Sequence, residues 1–285
     1  MILITGGAGQ LATEFSRFFK ENSIDFIAPK RAELDIRDFE KVREFVKSND
    51  VTLIINCAAY NFVDKAEEEP EMAYSVNAFA VENLAKVAKE LDIEFVTYST
   101  DFVFDGEKMK PYTEEDEVNP ISVYGKSKVL GERLALKAND KTYIFRVSWV
   151  FGKGEANFIE QVKRWMEREK IALASDQISS PTSTVDIVCM TMKMLELKEK
   201  RYGIYHLSGE GEASRYEQGQ YILEKLGYKG EIIEARCSDF TPYDIRPKYS
   251  KLCSSKIEKL LEIQIPSWKT RVDEYLDFYK KKDYN

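Results

Sequence analysis

The sequence is poor in the side chains that most often carry metal and redox chemistry. It holds one histidine and four cysteines in 285 residues. The cysteines, Cys57, Cys189, Cys237 and Cys253, are scattered without metal-ligand or redox spacing, which disfavours a disulfide framework and fits reduced, structural residues. His206 sits in the apolar run Ile204-Tyr205-His206-Leu207 and reads as a core or strand-end residue, so histidine-based catalysis is disfavoured. No apolar run approaches the roughly 20 residues that span a bilayer, and no basic segment precedes the apolar start of the chain. A cytoplasmic protein with no membrane partner is expected. There is no basic excess either: the net charge is −7, which argues against nucleic acid as a partner. Repeats and low-complexity segments are absent.

What is present is an alternation of strand and helix patterns. Met1 to Thr5 is a short apolar run that ends in Gly6-Gly7-Ala8-Gly9, and Leu11, Phe15, Phe18 and Phe19 then recur at helical spacing. The rhythm continues with strands over 26–28, 53–56, 95–98 and 142–147, and helices over 39–46, 71–91 and 123–138. Alternation of this kind predicts an α/β fold with a doubly wound parallel sheet. Beyond about Val150 it loosens, with helices over 158–168 and 185–198, a loop over 175–183, and helical segments over 257–261 and 268–279. Residues 1–150 are therefore expected to form a dinucleotide-binding domain. Residues 151–285 would form a smaller, mainly substrate-binding region interleaved with it.

Three clusters point to chemistry. Gly6 and Gly9 lie between a strand and a helix, where small residues let the backbone approach a pyrophosphate and the helix terminus offers free N–H groups. About twenty residues on, where NAD-selective folds carry an acid, the chain reads Ala28-Pro29-Lys30-Arg31. The two cations suit a 2′-phosphate and favour NADPH, with NADH left open; a solvated loop is the alternative. Asp35 and Ile36 are placed to flank the adenine, or Asp35 caps the helix that starts near Arg37.

The second cluster is Tyr124-Gly125-Lys126-Ser127-Lys128, in which Tyr124 and Lys128, at i and i+4, project from one helix face. A nearby ammonium lowers a phenol's pKa, so Tyr124 can pass a proton to an alkoxide while Lys128 also holds the nicotinamide ribose. The third is Tyr98-Ser99-Thr100-Asp101 at the carboxyl end of the fourth strand, where Ser99 or Thr100 would face Tyr124 and hydrogen-bond a reacting carbonyl.

Together with Glu33-Leu34-Asp35-Ile36, Asn56-Cys57-Ala58-Ala59-Tyr60, Val63-Asp64-Lys65-Ala66-Glu67, Asp101-Phe102-Val103-Phe104-Asp105-Gly106, Arg146-Val147-Ser148-Trp149-Val150 and Arg246-Pro247-Lys248-Tyr249-Ser250, these segments make the chain resemble the dTDP-4-dehydrorhamnose reductases, within the extended short-chain dehydrogenases. The resemblance runs nearly end to end. It implies a Rossmann-type fold and reduction, by NADPH, of the C4 keto group of dTDP-4-dehydro-L-rhamnose to dTDP-L-rhamnose. By the same resemblance Thr100, Tyr124 and Lys128 match the catalytic residues. Gly9, Gln10, Leu11, Asp35, Ile36, Ala58, Ala59, Tyr60 and Tyr98 fall at cofactor-lining positions, and Thr100, Asp101 and Trp149 would meet the nucleotide-sugar. Arg246 is a candidate for the diphosphate, with a surface ion pair as its alternative. Some family members bridge a homodimer with Mg2+ through glutamates, and Glu14 matches one such position. Ala12, Asn61-Phe62 and Ser179 depart from the family pattern. The rival readings are a reductase of another nucleotide-linked 4-keto-deoxysugar, and a non-catalytic regulatory subunit of the methionine adenosyltransferase type.

Overall fold

A computed structural model describes residues 1–282 except 155, 156, 242 and 244; residues 283–285, the end of the expected second region, lie outside it. The first half runs β1 (Ile2–Thr5), α1 (Gln10–Glu21), β2 (Phe26–Ile27), α2 (Phe39–Ser48), β3 (Leu53–Asn56), α3 (Val63–Glu68), α4 (Pro70–Tyr74), a π turn (Ser75–Phe79), α5 (Ala80–Glu90), β4 (Glu94–Thr100), α6 (Val123–Ala138) and β5 (Thr142–Val147). The second half runs β6 (Val150–Phe151), α7 (Phe158–Trp165), β7 (Lys170–Ala174), β8 (Ile178–Ser179), β9 (Thr182–Ser183), α8 (Thr184–Glu196), β10 (Gly203–His206), β11 (Ala213–Ser214), α9 (Arg215–Lys225), β12 (Glu231–Ala235), α10 (Ser255–Leu261) and α11 (Trp268–Lys282).

Six strands form one parallel sheet in the order β10-β5-β4-β3-β1-β2. Alternation along the strands sends Ile4, Ile55 and Val96 to one face and Leu3, Ile54 and Phe95 to the other. The first face packs on Phe15 and Phe19 of α1 and on Ile187, Met190 and Met194 of α8. The second packs on Val42 and Val46 of α2 and on α5. This is the doubly wound, Rossmann-type α/β fold, with helices on both faces. A separate apolar cluster joins α7, β7, α9 and α11 beside the sheet.

Several elements differ from the sequence expectation, among them α3, β7, α9 and β12, which it did not contain. The sixth strand, β10, comes from the run around His206, so the sheet is completed well after residue 150. The expected loop over 175–183 contains β8 and β9, which pair with β11 and β6. The single helix expected over 71–91 is broken by the π turn at Ser75–Phe79. Its widened backbone lies directly on α6, where a Cβ on Gly131 would meet the Asn77 carbonyl at 2.0 Å. The Asn77 side chain accepts from the backbone N–H of Tyr60 and donates to the Tyr60 carbonyl and to Ser127 Oγ, tying the loop after β3 to α6. Apolar periodicity cannot register one additional residue in a helix that stays amphipathic around it.

Candidate active site

The strand order reverses between β1 and β3, and the loops that leave these two strands sit side by side. Gly6 adopts φ +68° and its Cα faces the backbone of Ala58. A Cβ on Gly7 would lie 2.1 Å from the Ala28 carbonyl. Both positions therefore require glycine. Gly9 is the N-cap of α1 without a side-chain cap, so the first N–H groups of that helix point out from the turn. Gln10 Nε2 donates to the Val150 carbonyl, while its buried Oε1 has no partner. Small residues and open N–H groups fit a dinucleotide pyrophosphate, while the orphaned Gln10 Oε1 calls for a donor beside it.

A cavity of about 490 Å³ opens at this point, lined by Gly6, Gly9, Arg31, Asp35, Ile36, Ala58, Ala59, Tyr60, Asn61, Phe62 and Lys65, among others. The structure thus gathers most of the expected cofactor residues around one space. Leu11 packs partly into the core beneath it, and Lys30 is exposed outside the lining. Asp35 does not cap α2, whose N-cap is Asp38. Its carboxylate instead accepts two bonds from Arg37 Nε at 2.9 and 3.1 Å and lies 3.5 Å from Arg31, and the Arg37 guanidinium holds it well below the usual carboxylate range. Tyr98 is another correction. Its ring is buried, stacked on Phe145, with its hydroxyl on Thr191, because the strand alternation turns it into the core. Only its carbonyl faces the site.

That carbonyl accepts a 2.6 Å hydrogen bond from Lys128 Nζ. Burial pulls the ammonium down to about 8, against the opposing charge of Glu132. One turn earlier on α6, burial pushes the Tyr124 phenol up to about 12, opposed by the neighbouring Thr100 hydroxyl and reinforced by the Asp101 charge. The expectation that Lys128 lowers the phenol is not met in this arrangement: desolvation dominates, and Lys128 is not among the groups that shift Tyr124. Tyr124 also donates to Asn61 Oδ1 at 3.4 Å, which joins it to the cofactor cavity. Of the two hydroxyls at the end of β4, Thr100 is the one that meets Tyr124, while Ser99 Oγ is buried without a partner.

Beside these residues lies a second cavity of about 440 Å³, lined by Trp149, Asn157, Phe158, Gln161, Trp165, Gln177, Arg215 and Arg246, among others, and, among the described residues, by no carboxylate. Trp149 takes φ +42°, uncommon for a bulky residue and a mark of local strain. Arg215, at the first turn of α9, was not anticipated from the sequence. Its guanidinium lies 3.6 Å from the Trp149 ring centroid and 4.6 Å from that of Phe158, and it donates to Gln218 Oε1. Among the described residues no carboxylate comes within 4 Å of it, and burial lowers it to about 9. Arg246 is instead paired with Asp64 through two bonds of 2.7 Å, and Thr241 donates to the same carboxylate. Here the ion-pair alternative for Arg246 is the one observed.

Outside both cavities, His206 is fully buried and pushed down to about 3 by desolvation, next to the Arg146–Glu132 ion pair. Glu14 is buried and paired with Arg17, and no cluster of three or more His, Cys, Asp or Glu among the described residues is placed to hold a metal ion. Among the described residues, no helix is long and apolar enough to cross a membrane.

Comparison with known proteins adds a second line of evidence. The family model of the RmlD substrate binding domain matches residues 1–281. The dTDP-4-dehydrorhamnose reductase of Aggregatibacter actinomycetemcomitans is 36% identical, over 94% of this chain and 95% of its own. A crystal structure of a dTDP-4-dehydrorhamnose reductase from Clostridium acetobutylicum, 36% identical, superposes with a TM-score of 0.93 over 98% of this chain and 99% of its own. That of the Bacillus anthracis dTDP-4-dehydrorhamnose reductase in complex with NADP, 32% identical, gives 0.92 over 96% and 98%.

Proposed function

The chain belongs to the RmlD substrate binding domain family, and from that premise we propose that it is an NADP-dependent oxidoreductase that reduces the C4 keto group of dTDP-4-dehydro-L-rhamnose to give dTDP-L-rhamnose. The observation that carries this reading is the meeting of Thr100, Tyr124 and Lys128 at the carboxyl end of β4, between one cavity built for a dinucleotide and another lined by two guanidinium groups.

The chain's own residues divide the task. The open N–H groups after Gly9 hold the pyrophosphate with Gln10 beside it, Ile36, Ala58, Ala59 and Tyr60 wall the adenosine, and Arg31 of the lining meets the 2′-phosphate, with Lys30 reaching it from the exposed position next to the cavity. NADH is the alternative reductant, bound without that last contact. When bound, the nicotinamide supplies the hydride. Tyr124 keeps its proton at neutral pH because its site is desolvated, and is the acid that delivers it to the carbonyl oxygen. Thr100 orients that oxygen, and Lys128 stabilises the tyrosinate left behind and anchors the nicotinamide ribose. Trp149 offers an apolar face to the sugar, with Asp101 beside it. Arg215 holds the diphosphate, and Arg246 joins it if released from Asp64.

Lining residues of the first cavity come from positions up to Val76 and those of the second from Trp149 onward, which supports a division at about residue 150 into NADP-binding and mainly substrate-binding regions. The need for NADPH and four cysteines without disulfide partners support a cytoplasmic setting.

The test follows oxidation of NADPH with dTDP-4-dehydro-L-rhamnose formed in place, with Tyr124→Phe alongside. We expect turnover by the parent protein and a loss of about 10²–10⁴-fold in kcat in the variant, with NADPH affinity unchanged. Normal turnover by Tyr124→Phe would refute the catalytic assignment. Turnover only on a different nucleotide-linked 4-keto-deoxysugar would move the substrate within the same chemistry.

A further inference from the structure

Asp101 is a buried carboxylate with no cation within 4 Å among the described residues. It follows Thr100 at the end of β4 and is 2% exposed. Its Oδ1 accepts the Thr100 hydroxyl at 3.1 Å. Its Oδ2 accepts two more hydroxyls, Ser179 at 3.0 Å from β8 and Ser250 at 2.5 Å from the segment before α10. Both serines are themselves buried. Ser179 has a second acceptor within reach, the Ser250 carbonyl at 3.4 Å, but the nearer and charged oxygen holds its proton.

A hydroxyl has one proton to give. While the Thr100 proton lies on Asp101, it is withheld from a carbonyl bound against Tyr124. Handing it over would ordinarily leave a desolvated carboxylate short of donors, at considerable cost. The two serines remove that obstacle, since they stay on Oδ2 when Thr100 turns away.

We propose that Ser179 and Ser250 are positioning residues of the reduction: by holding Oδ2 of Asp101 they keep this carboxylate fixed and charged, and so free the Thr100 hydroxyl to serve the reacting carbonyl. This role rests on the reductase reading given above. The groups that face Asp101 are Thr100, Ser179, Ser250, the Tyr124 phenol from α6 and the Arg215 guanidinium from α9. Burial raises the Asp101 carboxyl and the three hydroxyls oppose that rise. Removing two of them sends it higher.

Two measurements test the proposal. In the first, kcat is measured for Ser179→Ala/Ser250→Ala, for Thr100→Ala and for the combined variant. The serine changes are expected to lower kcat by roughly tenfold, the equivalent of one charge-assisted hydrogen bond, in the parent and to change it little in the Thr100→Ala background. An equal fold-loss in both backgrounds would overturn the proposal, because the serines would then act without Thr100. The second needs no substrate. A carboxyl whose folded pKa lies above its unfolded one loses folded stability as pH rises between the two values. The melting midpoint of the double serine variant should therefore fall further behind the parent as pH rises through the acid range. A deficit of the same size at every pH would mean lost packing alone and would equally sink the idea. If the parent does not reduce the sugar while the melting behaviour holds, the reductase reading fails and the clamp on Asp101 stands as a structural fact.

Discussion

Lys128→Met is expected to make the protein more stable and less active at once. The side chain is buried, and its ammonium has one hydrogen-bond acceptor, the Tyr98 carbonyl. An ordinary lysine value of 10.5 falls here to about 8. At about 1.4 kcal/mol per pH unit, carrying the charge in the fold costs about 3.5 kcal/mol. Methionine removes that cost at similar volume and forfeits a charged hydrogen bond worth about 1.5 kcal/mol. The net gain is about 2 kcal/mol near neutral pH, or a melting midpoint higher by roughly 4–8 °C. The sign with pH follows from the lowered value. Below pH 8 the folded protein bears the whole cost, and as pH rises from 8 to 10.5 the folded lysine sheds its proton before the unfolded one does, so the parent catches up. Melting curves near pH 7 and near pH 10.5, each with a turnover assay, make the measurement. A variant that melts below the parent near pH 7, or by a margin that pH does not alter, would refute the desolvation argument.

Three further outcomes are expected. Arg215→Gln should raise KM for the nucleotide-sugar by roughly 10–100-fold with kcat nearly unchanged, the loss of a charged contact made equally in ground and transition states; steady-state kinetics decides it. Glu132→Ala strips the partner from Arg146, both being almost fully buried with bonds of 2.9 and 2.7 Å, and should destabilise the fold by about 3–5 kcal/mol in denaturant unfolding. Gly125→Ala would set a Cβ 2.3 Å from the Phe102 carbonyl, so α6 must retreat and carry Tyr124 and Lys128 with it; kcat should fall by at least tenfold while the melting midpoint moves by only a few degrees.

Much of the first half was legible because its signals are local. β1, β3 and β5 and the helices on them follow from apolar spacing, and the Tyr124–Lys128 pair follows from helix geometry alone. What was not legible depends on contacts between distant parts of the chain. Arg215 is an unremarkable residue after Ser214 until the turn carrying Trp149 and the start of α7 bring two rings against it. Arg246 looks like a free cation until Asp64 of α3 is placed beside it. Tyr98 sits in a catalytic-looking run, yet the pleat decides that its ring faces away. The serines on Asp101 belong to segments with no chemical signature, and only the return of the chain past β4 gives them one.

The outermost strand of the main sheet has a consequence for the order in which the protein is made. During synthesis from the amino terminus, β5 emerges long before β10, its neighbour over Gly203–His206, exists. Helix α1 likewise emerges long before α8, yet Phe15 and Phe19 are covered by Ile187, Met190 and Met194 of α8. Until α8 and β10 emerge, the nascent chain therefore carries an uncovered aromatic face and then an unpaired strand edge. Such surfaces invite chaperone capture, and the half that looks like a self-sufficient nucleotide-binding module cannot close until β10 has left the ribosome.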